Sequence, residues 1–559
     1  MGEDTGERDR CWWRGGVIYQ IYPRSFQDSQ GNGFGDLAGV TRRLDYVRRL
    51  GVDAIWLSPF FVSPMKDFGY DVADYCDVDP LFGDLGDFDA LVDRAHSLGL
   101  KVMIDQVWSH SSDRHPWFEE SRQNATGPKA DWYVWADAKP DGTAPNNWLS
   151  VFGGPAWTWD SRRNQYYLHN FLTEQPDLNF HNPEVQDAIL AVASFWLDRG
   201  VDGFRLDVCN FYFHHQSLND NPPRQFADGE PRGPNPHEWQ QHIYCRSQPE
   251  NLVFLSRLRQ LTDGYGDICL MGEIGDDEGI RRLVEYTEGN HRLHTAYSYE
   301  LLQPHCDAGY IRGAMERWIS EGRGWPTWAL GNHDFPRLAT RWTQGCPSPE
   351  QLRLFAAFHL SLRGTICLYQ GEELGLEQAD VPYERIQDPE GKAFWPGKPG
   401  RDGCRTPMPW ESDIRLCGFS DAEESWLPVS EAHARRAVDL QEAEGESLLQ
   451  FYRAMARYRS GSPALREGAI ELLDPSDQVL AFTRNHGHQR WLCLFNFSGK
   501  PAAWTINAPG ATRIVDSESP LSRLSAQARD GSQEESQVQL GPWAWAFFDL
   551  SPADGGVRP

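Results

Sequence analysis

No part of the 559-residue sequence approaches the run of about 20 apolar residues that a membrane helix needs, so a spanning role is not expected. Positive charge is also scarce. With 53 Lys and Arg against 80 Asp and Glu, the formal net charge is -27, which repels nucleic acid and anionic membrane surfaces and suits a neutral or cationic ligand. The opening "MGEDTGERDR" has no apolar segment of the signal-peptide kind. Eleven cysteines are scattered without a CxxC pair, an odd number that predicts buried free thiols in a reducing compartment. A cytoplasmic protein is therefore predicted, monomeric or homodimeric, with neither nucleic acid nor membrane as partner.

Apolar residues are not lacking. They make up 40% of the chain and include 23 Trp, 28 Phe and 19 Tyr, which excludes general disorder and supplies flat surfaces for packing or ligand stacking. The first ten residues and the tail "SPADGGVRP" carry no such pattern and are expected to be mobile.

Short runs rich in β-branched and aromatic residues recur along the chain: "VIYQIYP" (17–23), "AIWLSPF" (54–60), "KVMIDQV" (101–107), "GFRLDV" (203–208), "ICLMGEI" (268–274), "HTAYSYELL" (294–302), "WALGNH" (328–333) and "TICLYQG" (365–371). Between them, "LAGVTRRLDYVRRLG", "FDALVDRAHSLG" and "VQDAILAVASFWLDRG" place apolar residues at helical spacing, and each ends on a glycine suited to closing a helix. Eight strand–helix units predict an α/β fold, a (β/α)₈ TIM barrel over 11–108 and 177–476. The interval 109–176 is too long for a connection and predicts a small inserted domain after the third strand. Residues 376–445 predict a long structured loop region over the barrel mouth. From 477 to 559 short alternating runs such as "QVLAFTR", "RWLCLFNFS", "AAWTI" and "WAWAFFDL" predict a C-terminal all-β sandwich.

Barrel strands carry chemistry at their C-terminal ends. Asp105 ends "KVMID", Arg205 and Asp207 lie two apart on one face of "GFRLD", Glu273 ends "ICLMGE", and His333 and Asp334 end "WALGNHD". Any one of these acids has a plain reading as a helix cap or turn residue. Four strands delivering acids to one rim is poorly explained by capping. No HExxH or His-x-His lies near these ends, which argues against a metal hydrolase. Carboxylates with an Arg and a His in an aromatic rim suit glycoside hydrolysis, which needs one carboxylate as nucleophile or base and one carboxylic acid to protonate the leaving oxygen.

"GFRLDV", the "GE" of "MGEI", "NHD", the "D…H" of "DQVWSH" and "QPDLNFHNPEV" resemble the conserved blocks of the α-amylase superfamily, and "YQIYPRSF", "DFGYDVADY", "YLHNFLTEQPDLN" and "RTPMPW" resemble its α-glucosidase and oligo-1,6-glucosidase branch. The resemblance spans nearly the whole chain. It implies Asp207 as nucleophile, Glu273 as acid/base and Asp334 as the residue gripping the 2-OH and 3-OH of the sugar. It also implies that Asp67, Tyr70, His110, Arg205, His333 and Arg405 line the terminal-glucose pocket, with Tyr70 as stacking platform and Asp67 with Arg405 on the 4-OH. Phe152, Phe171 and Gln175 would shape the mouth, although Phe152 and Phe171 read equally well as core of the insertion. On physical grounds Arg205 is expected to keep Asp207 ionised while Glu273 holds its proton, with the two carboxyl groups roughly 5–5.5 Å apart, as retention requires.

The implied activity is release of glucose from short α-glucosides such as maltose through a covalent glucosyl-enzyme, with transfer to sugar, alcohol or phenolic acceptors. Oligo-1,6-glucosidase, sucrose isomerase or sucrose hydrolase activity on the same scaffold is the alternative, and an inactive binding relative is a more distant one. Ser109 stands where many α-amylases carry a calcium-binding Asn, so no ion is expected there. Val208 after the nucleophile is associated with α-1,6 tolerance, whereas "DQVWSH" looks more like α-1,4 exo-glucosidases, so linkage stays open.

The stretch "DSQGNGFGD" (28–36) is a separate case. Its glycines alternate and Asp36 breaks the dinucleotide pattern. Asp28, Gln30 and Asn32 follow calcium-loop spacing, with the Phe34 carbonyl and Asp36 completing a set that lacks the last Glu, since Gly39 is there. The resembling branch binds a divalent ion in a similar loop, which implies structural Ca²⁺, or Mg²⁺, here; a plain turn is the other reading.

Overall fold

The computed structural model describes residues 11–227, 229–508, 511–519, 521, 524 and 537–551; residues 1–10 and 552–559 of the terminal segments lie outside it. Eight parallel strands form one sheet: Val17–Ile21, Ala54–Leu57, Lys101–Gln106, Gly203–Leu206, Cys269–Ile274, Thr295–Ser298, Thr327–Ala329 and Thr365–Tyr369. In that numbering the spatial order is 6-5-4-3-2-1-8-7, and a parallel bridge between Ala296 and Pro326 joins strands six and seven, so the sheet closes into a barrel. A helix returns along the outside after each strand: Leu37–Leu50, Leu85–Ser97, Pro183–Asp198, Glu250–Asp263, Gly279–Thr287, Ala308–Glu321, Pro349–Ser361 and Leu448–Ser460.

The strands are buried on both faces, which is why the sequence shows continuous apolar runs rather than alternation. Tyr19, Ile55, Val102, Phe204 and Leu270 pack outward under the helices. Ile18, Ala54, Trp56, Met103, Cys269 and Met271 fill the interior. Gly203 belongs to that interior: a Cβ there would meet the Cys269 carbonyl oxygen at 2.7 Å and Met103 Cγ at 3.0 Å. The helix limits follow local chemistry. Asp36 accepts from the Gly39 amide at one helix start, Asp84 and Asp87 form a capping box at the next, and Gly51 closes the first helix at φ +83°. All eleven cysteines are free and seven are buried, as predicted for reduced thiols.

After the third strand the chain forms a small antiparallel sheet of Trp135–Ala136, Gln165–Leu168 and Trp157–Asp160. The C-terminal part has a five-stranded antiparallel sheet and a two-stranded one, Ala502–Thr505 with Gln537–Leu540. Its first strand, Ala469–Leu472, precedes the expected start at 477, because that strand is half exposed and follows a helix without a marked turn. No helix among the described residues is long and apolar enough to cross a membrane.

Arg459, fully buried, fastens this assembly. Its guanidinium donates to the carbonyls of Gly15, Leu360, Leu362 and Gly364 at 2.6–3.1 Å, tying the chain start to the seventh helix and eighth strand. Arg459→Met strips four buried carbonyls of their donor, and each orphaned group costs about 1–3 kcal/mol. Thermal unfolding of the full chain is expected to show a loss of at least about 3 kcal/mol; an unchanged Tm would refute the assignment.

Candidate active site

The fourth strand places Arg205 and Asp207 on the same face, and the barrel brings Asp105 and Glu273 to them from the third and fifth strands, which flank it. Arg205, fully buried, contacts all three acids: Nη1 lies 2.8 Å from Asp105 Oδ1 and 2.5 Å from Asp207 Oδ1, and Nη2 lies 2.5 Å from Glu273 Oε2. It also donates to the Tyr297 hydroxyl at 2.8 Å and sits 4.9 Å from the centre of the Trp56 ring. Tyr299 donates to Glu273 Oε1 at 3.1 Å.

One guanidinium serving three carboxyl groups changes the expected electrostatics. Arg205 does not hold Asp207 ionised by itself. Burial raises the Asp207 carboxyl well above its ordinary value, and the pull of Arg205 is spread over Asp105 and Glu273, which push the same way as burial. Asp105 rises to about 6, again chiefly through burial. Asp207 and Asp105 thus share a tendency toward the protonated form that burial sets and that Arg205, divided among its partners, only partly offsets.

After Asp207 the chain turns sharply at Val208, which adopts φ +35° and ψ 48°. A β-branched residue in the left-handed region is strained by about 1–3 kcal/mol. The turn aims the Val208 amide at Glu273 Oε2, 3.2 Å away.

His333 and Asp334 stand across the mouth. His333 stacks on Tyr70 with ring centres 5.3 Å apart, bonds the Tyr70 hydroxyl through Nε2 at 2.5 Å, and meets Gln20 through Nδ1 at 2.8 Å. Burial pushes its imidazole well below the ordinary value, against the opposite pull of Asp334. Burial works against the Asp334 carboxylate as well, but His333, Arg405 and Arg401 outweigh it and keep that group well below the usual range. The Asp334 side chain is 25% exposed, against 9% for Asp207 and 4% for Glu273, so the opening lies on its side.

Asp67 and Arg405, both expected at the 4-OH of the sugar, do not contact each other; each has its own charged partners. Arg405 donates to Asp334 at 2.8 Å and, through Nε, to the His333 carbonyl at 2.7 Å. Arg401 takes the Asp67 position at 2.8 Å, Asp388 at 2.8 Å and Asp334 at 3.2 Å. The reason is reach: Arg405 is fully buried beneath the mouth, whereas Arg401, four residues earlier, faces into it. Burial opposes the Asp388 carboxylate, yet Arg401 brings it down to about 2. Gln175 donates to Asp67 at 3.2 Å, and His110 meets the Tyr70 carbonyl at 2.9 Å and Ser109 Oγ at 2.8 Å. Phe171 packs on His110 and Phe211, and Phe152 lies under Arg401 at 5.0 Å; both rings are half-buried at the mouth, between the two roles foreseen for them.

Arg401 and Asp388 escaped the sequence reading, as did Tyr297 and Tyr299. The repeat of Arg at 401 and 405 in "GRDGCRTPMPW" was the available signal.

The loop 28–36 stands apart from the acids. Asp28 Oδ1 accepts from the amides of Gln30 and Gly31, and Oδ2 from the Gly33 amide and the Ser420 hydroxyl, at 2.5–2.8 Å. Those four bonds use every acceptor position of the carboxylate. Asp36 caps its helix through Gly39 and accepts from Ser29, the Asn32 carbonyl accepts from Phe34, and Gln30 is exposed. In this geometry the five residues do not fit a Ca²⁺ or Mg²⁺ cage; they form a hydrogen-bonded turn pinned to Ser420. No group of three or more His, Cys, Asp or Glu placed to hold a metal ion occurs among the described residues.

Residues 20–468 match the family described as alpha amylase, catalytic domain, and residues 470–545 match maltogenic amylase, C-terminal domain. A Rhizobium meliloti (strain 1021) protein named "Probable alpha-glucosidase" is 51% identical, covering 98% of this chain and 99% of its own. The oligo-1,6-glucosidase of Parageobacillus thermoglucosidasius is 33% identical, covering 97% and 99%. The crystal structure of the alpha-glucosyl transfer enzyme XgtA superposes with a TM-score of 0.91 at 51% identity, over 97% of this chain and 99% of that one.

Arg401→Met tests the mouth electrostatics. Asp388 and Asp334 have folded pKa values below their ordinary value, so the stability they contribute is complete above about pH 4 and lost as pH falls toward the folded values. The Tm gap between wild type and variant is expected to be widest at pH 5–7 and to narrow toward pH 3; a gap that widens on acidification would show the ion pairs are not the cause.

Proposed function

Because the chain belongs to the α-amylase family, we propose that it is a retaining α-glucosidase that frees glucose from the non-reducing end of short α-glucosides such as maltose and also passes the glucosyl group to acceptors. The observation that supports this reading best is the Arg205 fork spanning Asp207 and Glu273, with Asp334 across the mouth. Asp207 attacks the anomeric carbon while Glu273 protonates the departing glycosidic oxygen; Glu273 then takes a proton from water or from an acceptor hydroxyl as it attacks the β-glucosyl-enzyme. The reading requires a proton to reside on Glu273 when substrate arrives, leaving Asp207 ionised.

Asp334, kept anionic by Arg405 and Arg401, grips the ring hydroxyls and opposes the positive charge that builds on the ring carbon. The Asp67–Arg401–Asp388 array forms one wall of the mouth, and in this reading it blocks extension beyond a terminal sugar. Names among the relatives favour both maltose-type and α-1,6-linked substrates, and the strained turn at Val208 is the residue whose contacts bear on that choice.

Proton NMR of maltose hydrolysis is expected to show α-glucose as the first product; β-glucose first would exclude retention. Asp207→Ala is expected to abolish turnover of maltose and isomaltose, and Glu273→Gln to lower it by roughly 10²–10⁴-fold, with much less loss on an aryl glucoside whose leaving group needs no proton. A linkage panel of maltose, isomaltose and sucrose ranks the substrates, and undiminished activity in Asp207→Ala would sink the mechanism.

A further inference from the structure

Against a net charge of -27, one place on the molecule gathers positive charge. Arg48, Arg49, Arg453 and Arg457 line a groove of about 470 Å³ together with Gly51, Gln450 and Ser460. The groove lies where the end of the first barrel helix, Leu37–Leu50, meets the eighth, Leu448–Ser460, and it runs along the latter from Gln450 to its last residue, Ser460. Barrel helices run back from the catalytic rim, so these ends belong to the opposite face, remote from Asp207 and Glu273.

Arginine at a helix C-terminus has an ordinary explanation in the helix dipole. Here it falls short. Arg453 sits in mid-helix and is matched by Glu442, with Glu373 also nearby, and Glu442 reaches Arg49 as well; Arg48 and Arg457, near the helix ends, have only the dipoles to answer their charge. Glu442 binds Arg453 bidentately, both contacts at 2.7 Å, and reaches Arg49 at 3.3 Å. Arg453 is thereby fixed in one orientation while its own Nε, fully buried, has no hydrogen-bond partner. Its side chain is 6% exposed, so this is an immobilised donor rather than a waving surface group. Arg48 and Arg457 are exposed, and neither makes an ion pair with any described residue.

We propose that this groove is a binding site for a small polyanion carrying two phosphate groups, outside the catalytic reaction. Several guanidinium forks converging on one space match phosphate oxygens in geometry as well as charge. The volume exceeds what one phosphate fills and reaches the lower range of small-molecule sites. No aromatic ring lines it, so nothing there would hold a nucleobase, which favours an inorganic or sugar-borne diphosphate over a nucleotide.

The test is calorimetric titration of the full chain at low ionic strength with inorganic pyrophosphate, a hexose 1,6-bisphosphate and inorganic phosphate. One diphosphate molecule per chain, bound at least about tenfold tighter than inorganic phosphate and weakened by added salt, is the expected result. The tighter of the two diphosphates identifies the carrier. Arg48→Ala/Arg457→Ala should weaken it a further tenfold or so while leaving the unliganded Tm and maltose turnover unchanged. Weak binding of all three alike, or binding untouched by the double substitution, overturns the proposal.

Discussion

The centre of this protein depends on one buried guanidinium. Among the described residues Arg205 is the cation in direct contact with Asp105, Asp207 and Glu273, deep in the barrel mouth, where Coulomb attraction is stronger than at the surface. Removing it would leave three buried acids in mutual repulsion; with it in place, one positive charge still faces three carboxyl groups, an excess of two negative charges if all are ionised. Trp56 and Tyr297 hold the guanidinium in plane, so the aromatic interior of the barrel serves the chemistry through position alone.

The rest of the rim is built on the same principle of shared charge. Arg401 stands among Asp67, Asp334 and Asp388 as Arg205 stands among its three acids. Backbone strain at Val208 belongs to this picture. The left-handed turn is held because the amide of Val208 itself finds Glu273, so the fourth and fifth strands are latched at the point where Asp207 and Glu273 project. The remote arginine groove shows the contrary case, four arginines with Glu442 as the acid paired to them, and the proposed anion site rests on that imbalance.

Much of this was legible in the chain. The eight strand runs stand where the sheet has them, because strands buried on both faces cannot avoid being written as apolar runs, and glycines 51, 99 and 200 follow the helix ends in left-handed conformation as their spacing predicted. The acids at strand ends were readable for the same reason: a strand's direction and the two-residue alternation fix which residue emerges at the rim. The start of the C-terminal sheet was misplaced because Ala469–Leu472 is short and half exposed, and so carries little pattern. Arg401 was missed because it sits on an irregular loop, where no periodicity says which way a side chain faces.

The sequence by itself therefore determined the barrel, the antiparallel appendage and the identity of the rim acids, since each follows from burial and strand geometry that act locally. What only the tertiary structure decided was the partnership of charges: that Arg205 serves three acids, that Arg401 rather than Arg405 meets Asp67, and that Asp28 has all its acceptor positions filled by its own loop and Ser420. Partnerships of that kind depend on distances between segments far apart in the chain, and attraction between charges is set by those distances and by exclusion of water, neither of which a linear pattern encodes.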